Sequence, residues 1–475
     1  MAERNIVAEI VARRMSDIES RGYCFGFNVP EKRNRPIVPF MQEKGVILEI
    51  KRASPSKGPI APELDSAETA RTYAANGASA ISCLTEENYF RGSLGDLMNV
   101  CAAVDGISVL RKDFLVDEEE VDVSYRCGAD AVLLISGILG KEKLVSMAGR
   151  CASLGIRALV EVRSDDDAEK ALEASRRFPD TVVFGVNSRN LKDFSIDLMV
   201  PAMLKGRLGG RVIFESGITT PEAAAKVGSM GFSGILLGEF AARNPETAGG
   251  FVRAFRESHE SPCGRKLVGF ATMIAGRRDG PLVKVCGLTR TEDVELADSL
   301  DADMVGFIFA SGYARNACGE RFARIVPTLG GIRAKKVAVI TDCFSPEARE
   351  AVELASSGTI DFIQLHGIRY GDVPEYIREV PHYFAVTESC GDMEGASREL
   401  ASKGEPRFLQ DCRSRNYFDD GHLWMAGGLD ADNVTDAVAR FRPELVDVSG
   451  GIESGIPGIK DEAKMRKFFE EIRRR

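Results

Sequence analysis

Short runs rich in Val, Ile and Leu recur through the first half of the chain, each followed by a longer amphipathic stretch. This alternation is typical of strands buried on both faces and joined by crossover helices. Successive runs start 22 to 33 residues apart, which accommodates a strand, a loop and a helix. The pattern predicts a (β/α)8 barrel, preceded by a helical extension around 6–19. The runs begin near Val46, Ser79, Ser108, Asp130, Arg157, Thr181, Arg211 and Ser233.

The same pattern restarts after a stretch without a clear period, about 259–280, which we interpret as a linker. One interval, from 407 to 423, has room for a loop and at most a turn of helix, so either an outer helix is missing there or one strand is misassigned. The sequence thus predicts an α/β protein of two tandem (β/α)8 TIM barrels, in 1–258 and 281–475, the second with a shortened sixth β/α unit. The second set of runs begins near Leu282, Asp303, Lys335, Ile360, His382, Arg407, Leu423 and Leu445.

Composition and charge exclude several classes of protein. The 475 residues are 44% hydrophobic and 28% charged, as expected of a folded globular protein, and the net charge of −9 provides no basic field for nucleic acid. No apolar run is long enough to span a bilayer, and the charged start does not resemble a signal peptide, so we expect a cytoplasmic protein without a membrane partner. The 11 cysteines never form a C-x-x-C pair, which disfavours a structural metal.

All four histidines lie at or beyond His259, so the first half must perform any acid–base chemistry with Lys, Glu, Asp or Cys. In such barrels the chemistry occurs at the carboxyl ends of the strands, where the first half carries many polar residues. One such residue alone is as well explained by a structural ion pair, but about eight together are costly to bury without a ligand. These residues are Glu49, Lys51, Lys112, Glu161, Asn187, Arg189, Glu215 and Ser216.

Two features indicate that the ligand of the first half is an anion. Lys51, Lys112 and Arg189 supply positive charge at the predicted mouth of the barrel. Gly217 and Gly238 follow strands seven and eight, where barrels of this kind place backbone N–H groups around phosphate.

Seven segments of the first half, in the correct order, resemble the indole-3-glycerol phosphate synthase family. The resemblance implies ring closure, decarboxylation and dehydration of 1-(2-carboxyphenylamino)-1-deoxyribulose 5-phosphate, without a metal or organic cofactor. The most specific motifs are S-P-S-K-G and N-S-R-N-L; a Schiff-base aldolase or another phosphosugar isomerase would require neither. The segments are LEIKRASPSKG (48–58), LTEENYFRGS (84–93), LRKDF (110–114), GADAVLLI (128–135), LVEV (159–162), GVNSRNL (185–191) and FESGI (214–218).

By this resemblance Lys112 is the general acid of ring closure, a role that favours a depressed pKa. Glu161 stabilises the cationic intermediate, and Lys51 with Glu49 forms a second acid–base pair; which carboxylate is the main base stays open. Glu239, which follows Gly238 where the family more often has a small hydroxyl residue, should point away from the phosphate. The implied substrate-binding residues are Asn187, Arg189, Phe90 and Phe114, and the implied phosphate-binding residues are Ser56, Ser216, Gly217 and Gly238.

In the second half, Cys286 and Asp411 end the first and sixth predicted strands. A strand cysteine is most often a small core residue, but a thiolate opposite a carboxylic acid can move a proton between adjacent sugar carbons. The flanking segments resemble the phosphoribosylanthranilate isomerase family, which converts N-(5'-phosphoribosyl)anthranilate into the synthase substrate by an Amadori rearrangement. These segments are KVCGLTR (284–290), GFIF followed by Arg315, QLHG (364–367), AGGLDADNV (426–434) and VDVSGGIESGIPGIKD (446–461).

By this second resemblance Cys286 removes the C2 proton, Asp411 protonates the ring oxygen and Arg315 holds the anthranilate carboxylate. His366 also matches a family position, although a structural role suits it better. The implied phosphate cradle consists of Gly427, Gly428, Ser449, Gly450 and Gly451.

The chain departs from the isomerase pattern because CRSRNYFDDGH replaces the glycine-rich loop and helix that normally follow the acid-bearing strand. Two interpretations therefore stay open for the chain. It is a bifunctional enzyme of tryptophan biosynthesis, or a synthase whose second barrel is a non-catalytic stabilising or interaction domain. The expected partners are small phosphorylated aryl-amino sugars, with tryptophan synthase as a candidate partner downstream.

Overall fold

A computed structural model describes residues 6–190, 196–276, 280–403, 405–418 and 421–473. The chain divides into two compact units, Met1–Thr272 and Met273–Arg475. Each unit contains a closed barrel of eight parallel strands that alternate with helices, which confirms the predicted tandem barrels. No helix among the described residues combines the length and apolar composition needed to cross a membrane.

The first barrel closes by pairing β1 with both β4 and β10, and β2 and β3 form a separate small hairpin. The strands are β1 (Gly45–Ile50), β2 (Ala53–Ser54), β3 (Gly58–Pro59), β4 (Ala80–Leu84), β5 (Ser108–Lys112), β6 (Ala131–Ile135), β7 (Arg157–Val162), β8 (Val182–Asn187), β9 (Val212–Glu215) and β10 (Gly234–Leu237). The helices are α1 (Ile6–Arg21), α2 (Ser66–Ala75), α3 (Leu94–Ala103), α4 (Glu118–Arg126), α5 (Lys141–Leu154), α6 (Asp165–Arg177), α7 (Met199–Leu208), α8 (Pro221–Ser229), α9 (Glu239–Arg243), α10 (Ala248–Glu257) and α11 (Pro262–Ala275).

The second barrel closes by pairing its first strand with its last. Its strands are β11 (Leu282–Val285), β12 (Met304–Ile308), β13 (Lys335–Ile340), β14 (Phe362–His366), β15 (His382–Thr387), β16 (Leu409–Asp411), β17 (Trp424–Ala426) and β18 (Leu445–Val448). Its helices are α12 (Thr291–Ser299), α13 (Glu320–Leu329), α14 (Pro346–Ser356), α15 (Glu375–Arg378), α16 (Met393–Ser402), α17 (Val434–Phe441) and α18 (Glu462–Arg473).

The short sixth β/α unit is confirmed, since the described residues between β16 and β17 contain no helix. Side chains of this segment hold it in place instead. The Gln410 amide donates to the carbonyl of Phe418 at 2.6 Å and accepts from its N–H at 2.8 Å. The Tyr417 hydroxyl contacts the carbonyl oxygens of Cys412 and Ala426 at 3.1 and 2.8 Å. Hydrogen bonds to buried backbone thus close the gap that the missing helix leaves.

The expected linker, 259–280, contains α11, and the boundary between the two units falls after Thr272 inside that helix. Leu267 and Phe270 of α11 are buried, as in an ordinary amphipathic helix. Residues 277–279 lie outside the described part of the chain, and so does Leu191 of the N-S-R-N-L motif. The exact extent of the linker stays a prediction.

The two-residue period of the strands separates an apolar layer from a polar layer inside the first barrel. Ile47, Leu110, Leu159 and Ile213 belong to one buried cluster in the barrel interior. Two residues further along the same strands come Glu49, Lys112, Glu161 and Glu215. The apolar layer therefore forms a floor beneath the charged groups at the carboxyl ends.

Helix α1 is attached to the first barrel through a buried ion-pair network. The guanidinium of Arg14 lies 3.0 Å from Asp113 and 2.6 Å from Glu120, and only 7% of its side chain is exposed. Asp113 also pairs with the fully buried Arg111 at 3.1 Å. This network lies directly after Lys112 in the chain, so the N-terminal helix helps to fix the end of β5.

We predict that Arg14→Met destabilises the first barrel by about 3–5 kcal/mol, because it leaves the buried Glu120 without its cation and Asp113 with Arg111 alone. The matched control is Arg13→Met, which removes an exposed partner of Asp17 on the same helix and should cost less than about 1 kcal/mol. Urea unfolding of the full chain followed by circular dichroism measures the difference. The only tryptophan, Trp424, lies in the second barrel, so its fluorescence transition should stay unchanged. Equal stability of the two variants would contradict the prediction.

Candidate active sites

A cavity of about 760 Å³ opens at the carboxyl ends of the strands of the first barrel. Every residue of the first half to which the family resemblance assigned a role lines it, whereas the candidate Glu215 is not part of the lining. The lining includes Glu49, Lys51, Ser56, Phe90, Lys112, Phe114, Glu161, Asn187, Arg189, Ser216, Gly217 and Gly238. The volume is within the usual range for sites that bind small molecules.

Lys112 lines this cavity and contacts three carboxylates. Its Nζ atom lies 2.7 Å from Glu215, 3.6 Å from Glu161 and 4.0 Å from Glu49. Glu49 in turn forms a close ion pair with Lys51. The side chain of Lys112 is 14% exposed, whereas Glu49 and Glu215 are almost completely buried. The lysine is therefore more accessible to a ligand than the carboxylates that surround it.

The carboxylates determine the protonation of Lys112. Burial lowers its pKa, but the charges of Glu215, Glu161 and Glu49 outweigh burial and raise the pKa above the ordinary lysine value. The expectation of a depressed lysine pKa is therefore wrong, because the sequence did not show that three carboxylates meet at this one ammonium. Lys112 carries its proton at neutral pH, as a proton donor must.

Two carboxylates of this cluster have pKa values that are shifted in opposite directions. Burial raises the pKa of Glu215 to about 7, Lys112 opposes this rise and the nearby charge of Glu161 adds to it. Burial also acts to raise the pKa of Glu49, but Lys51 and Lys112 reverse the effect, and its pKa falls below the ordinary value. Glu215 can thus exchange a proton near neutral pH, while Glu49 stays ionised.

Two glycines make room for these carboxylates. A Cβ atom at Gly185 of β8 would collide with the Oε1 atom of Glu215. A Cβ atom at Gly238 would lie 2.6 Å from Glu49 and 2.9 Å from Lys51. The nominated residue Gly238 therefore has a steric role in addition to any role in phosphate binding.

The aromatic wall of the cavity is fixed by a residue that the sequence analysis missed. Glu86 accepts hydrogen bonds from the backbone N–H groups of Asn88, Tyr89 and Phe90 at 3.0, 2.7 and 2.9 Å. The rings of Phe90 and Phe114 lie 6.1 Å apart. A buried carboxylate thus folds the turn that presents Phe90 to the cavity. In the sequence, Glu86 could have been noticed as part of the Glu86-Glu87 pair that precedes Tyr89 and Phe90.

The remaining nominated groups lie around the rim. The side-chain oxygen of Asn187 accepts from the N–H of Arg189 at 3.0 Å, which fixes the loop after β8. Ser216 has a φ of 69°, a strained left-handed conformation for a residue with a side chain, and Gly217 follows it with a φ of 78°. Glu239 belongs to the lining, and Arg243 neutralises its carboxylate at 3.4 Å.

In the second barrel, Lys284 joins the nominated Cys286 to other polar groups. The Nζ atom of Lys284 lies 3.4 Å from the Sγ atom of Cys286, 2.7 Å from Gln364 and 2.6 Å from Asp447. Burial raises the pKa of the Cys286 thiol, and the charge of Lys284 opposes that rise. Cys286 is therefore a buried thiol next to a cation and not an ordinary core residue.

Asp411 ends β16 and has the properties of a proton donor. Burial raises the pKa of its carboxyl, and its Oδ2 atom lies 3.9 Å from Nε2 of His366. Burial, with a contribution from Lys284, lowers the pKa of His366, which keeps the imidazole neutral. Nδ1 of His366 lies 3.3 Å from Gln364. His366 thus belongs to the polar cluster between the two nominated groups.

Arg315 is oriented by a carboxylate that the sequence analysis did not consider. Its Nε and Nη2 atoms each donate to Glu453 at 2.7 Å. Lys460 lies between the same carboxylate, at 3.3 Å, and the carbonyl oxygen of Ser449, at 3.0 Å. A cation therefore lies beneath the loop nominated as a phosphate cradle.

The glycines of that cradle are required by close packing of the backbone. A Cβ atom at Gly427 would lie 2.6 Å from the backbone of Cys412, and one at Gly451 would collide with the carbonyl of Leu429. Gly428 has a φ of 64°. Glycine at these positions therefore allows the backbone segments of the loop to pack closely. Among the described residues, no cluster of His, Cys, Asp and Glu is suited to a metal ion.

Lys284, Asp447 and Lys460 are the main residues of this site that sequence reasoning missed. Lys284 and Asp447 lie two residues before Cys286 and Ser449, so the two-residue period that paired Glu49 with Lys51 would have found both. No comparable signal marks Lys460, because it lies in a loop distant in sequence from the strand ends.

We predict that Gly185→Ala impairs any reaction that depends on Lys112, because the new methyl group displaces Glu215 from it. A misplacement of this kind costs about 100-fold in rate. Gly206→Ala in α7 is the matched control, since its Cβ atom meets nothing within 4 Å and the change should be neutral or slightly stabilising. Assays of ring closure on the folded variants measure the effect. Equal rates would show that the position of Glu215 does not matter.

Comparison with known proteins identifies both halves. The family model for indole-3-glycerol phosphate synthase matches residues 28–254, and the model for N-(5'-phosphoribosyl)anthranilate isomerase matches residues 283–471. The indole-3-glycerol phosphate synthase of Carboxydothermus hydrogenoformans is 42% identical over 205 residues, which cover 42% of this chain and 75% of that protein.

Longer relatives contain both parts. The multifunctional tryptophan biosynthesis protein of Schizosaccharomyces pombe is 30% identical over 532 residues, which cover 99% of this chain and 66% of the relative. This chain thus spans about two thirds of the length of the first curated relatives that it matches. Among solved structures, a phosphoribosylanthranilate isomerase from Thermotoga maritima is 30% identical, with a TM-score of 0.35, over 40% of this chain and 98% of that one. The chain belongs to the indole-3-glycerol phosphate synthase family over residues 28–254 and to the N-(5'-phosphoribosyl)anthranilate isomerase family over residues 283–471.

Proposed function

We propose that this chain is a bifunctional enzyme of tryptophan biosynthesis that catalyses two consecutive reactions. The second barrel rearranges N-(5'-phosphoribosyl)anthranilate to 1-(2-carboxyphenylamino)-1-deoxyribulose 5-phosphate. The first barrel closes, decarboxylates and dehydrates this product to indole-3-glycerol phosphate. The observation that carries the proposal is the meeting of Lys112 with three carboxylates at a cavity lined by every first-half residue to which the family resemblance assigns a role.

In the active site of the first barrel, Lys112 donates a proton to the ketone oxygen as the aromatic carbon attacks the carbonyl carbon. Glu161 faces Lys112 at 3.6 Å and stabilises the cation that develops on the substrate nitrogen. Glu49 with Lys51 forms the second acid–base pair, and Glu215, with a pKa of about 7, takes part in proton exchange. Arg189 and Asn187 hold the substrate carboxylate and hydroxyls, and Phe90 with Phe114 packs on the aromatic ring.

The anionic end of the substrate lies at the rim of the same barrel. Ser56, Ser216, Gly217 and Gly238 bind the phosphate, and all four line the cavity. The left-handed backbone at Ser216 and Gly217 supports this role, since strained backbone is often retained where N–H groups must face a ligand.

In the active site of the second barrel, Asp411 protonates the ring oxygen while the C1–O bond breaks. The Cys286 thiolate then removes the proton from C2. The raised pKa of the Asp411 carboxyl supports the first role. Arg315, oriented by Glu453, holds the anthranilate carboxylate. Gly427, Gly428, Ser449, Gly450 and Gly451 surround the phosphate, with Lys460 beneath them.

Neither proposed reaction requires a metal or an organic cofactor, because the carbonyl and amine of the substrate itself accept the electrons. We also propose a cytoplasmic location, where tryptophan synthase would consume the product. Direct contact with tryptophan synthase is a further proposal that a pull-down with the purified synthase tests.

We predict that Lys112→Ala abolishes ring closure, with a loss of at least about 1000-fold, because the general acid and the charge balance of three carboxylates disappear together. Isomerisation by the same chain should stay unchanged. Formation of indole-3-glycerol phosphate from the purified ribulose phosphate, measured by its indole absorbance, gives the rate. A ring-closure rate equal to that of the wild-type chain would remove the main assignment.

We predict that Cys286→Ser lowers isomerisation by at least about 100-fold, since a hydroxyl is a far weaker base than a thiolate, and leaves ring closure intact. The loss of anthranilate fluorescence from freshly made phosphoribosylanthranilate follows the reaction. Asp411→Asn provides a second variant in which the donor is lost and the shape is kept. If the wild-type chain shows no isomerisation, the alternative interpretation is favoured, in which the chain is a synthase with a non-catalytic second barrel. The short segment after β16 is the feature that left this alternative open.

A further inference from the structure

Lys284 is completely buried inside the second barrel, two residues before Cys286 on β11. A protonated lysine has three N–H donors, and the structure offers three acceptors around this one. They are Asp447 at 2.6 Å, Gln364 at 2.7 Å and the sulfur of Cys286 at 3.4 Å. The third contact lies within the usual range for hydrogen bonds to sulfur, so it directs positive charge at the thiol.

The neighbours of Lys284 keep it protonated and in place. Asp447 is its counter-ion, and burial without such a partner would neutralise the ammonium group. Gln364 offers the same oxygen to Lys284 and to the hydroxyl of Tyr383, which lies 2.8 Å away. Since Tyr383 also packs edge-on against Trp424 with ring centroids 5.4 Å apart, the amide cannot turn freely. The position of the ammonium is therefore fixed from two sides.

The adjacent strand leaves space for this contact. Gly306 of β12 has no side chain, and a Cβ atom there would lie 2.8 Å from the sulfur of Cys286 and 3.2 Å from the Cε atom of Lys284. Glycine weakens a strand interior, so its presence here indicates that the space is needed. Any other residue would push the lysine and the thiol apart.

We propose that Lys284 is a positioning residue that stabilises the thiolate form of Cys286, so that the thiolate can accept the C2 proton of the substrate. This inference rests on the proposed isomerase function of the second barrel. The C2–H bond breaks, its proton passes to sulfur to give a thiol, its electrons form the C1–C2 double bond, and the π electrons of the C1=N iminium return to nitrogen to give the enamine. Lys284 keeps its own proton throughout and does not touch the substrate.

Other charged groups also act on Cys286. Burial raises the pKa of the thiol, Lys284 is the largest opposing influence, Asp447 raises the pKa further and Lys460 lowers it. Tyr383 and Arg315 also interact with the thiol electrostatically. Lys284 is the cation in hydrogen-bond contact with the sulfur, so its removal should have the largest effect.

The test uses the full chain and compares Lys284→Met, Lys284→Arg and the double variant Lys284→Met with Asp447→Asn. The double variant removes the cation together with its counter-ion, which prevents an unpaired buried carboxylate from unfolding the barrel. Lys336→Met on β13 is the matched control, because its ammonium group donates to the carbonyl of Ile332 at 3.3 Å and β12 separates β13 from the strand of the thiol. Trp424 fluorescence reports whether the second barrel of each variant is folded, and the ring-closure rate reports that the first barrel is intact.

The first readout is the pH dependence of alkylation of Cys286 by iodoacetamide, followed peptide by peptide to separate it from the ten other cysteines. Loss of Lys284 should move the midpoint upward by at least about one pH unit, the usual effect of a nearby opposite charge. The second readout is isomerisation, in which kcat/KM near pH 7 should fall at least about tenfold with the acidic limb displaced by the same amount. Lys284→Arg should retain most of the effect of the cation, and Lys336→Met should match the wild-type chain.

An unchanged alkylation midpoint in a folded Lys284→Met chain would overturn the inference. Because Asp447 raises the thiol pKa, the double variant is compared with Asp447→Asn alone, and equal midpoints of these two chains would also overturn it. A fall in kcat/KM without any displacement of the pH profile would also overturn it, since a purely structural role predicts that pattern. If the wild-type chain shows no isomerisation, the proposed isomerase function fails, while the alkylation midpoints still decide whether Lys284 controls the thiol.

Discussion

The burial of a lysine ammonium at the floor of a barrel mouth, balanced by carboxylates from other strands, is the interaction on which the rest of this structure depends. An ammonium group loses its hydration there, and only opposite charge within a few ångströms keeps it protonated. In the first barrel Glu215, Glu161 and Glu49 supply that charge from three strands. Because each carboxylate must reach one nitrogen atom, the register of these strands and the glycine at 185 follow from the same requirement.

The second barrel uses the same arrangement for a different purpose. Lys284 has a single carboxylate partner, Asp447, and its remaining donors face an amide and a thiol. In our proposals, the buried cation donates a proton in the first barrel and stabilises a base in the second. The difference arises from depth: Lys112 ends its strand and meets the cavity, whereas Lys284 lies one pleat lower and is covered by Cys286.

Most of the fold was predictable, because a sixteen-fold alternation of apolar runs and amphipathic stretches leaves few other arrangements. The short sixth unit was also predictable, from the distance between 407 and 423 alone. The site was predictable where a polar residue ends a strand, as for Lys112 and Cys286. It was not predictable where the role depends on spatial neighbours, as for the raised pKa of Lys112, or on a loop, as for Lys460.

The central claim is that the cavity of the first barrel keeps Lys112 charged while its carboxylates cannot all ionise together below neutral pH. The most direct measurement is a carbon-13 NMR titration of the glutamate carboxyl groups in the full chain, repeated with Glu215→Gln. The account predicts one carboxyl resonance with a midpoint at about pH 7 that is absent from the variant. Midpoints at ordinary glutamate values, below about pH 5, for every resonance of the wild-type chain would contradict it.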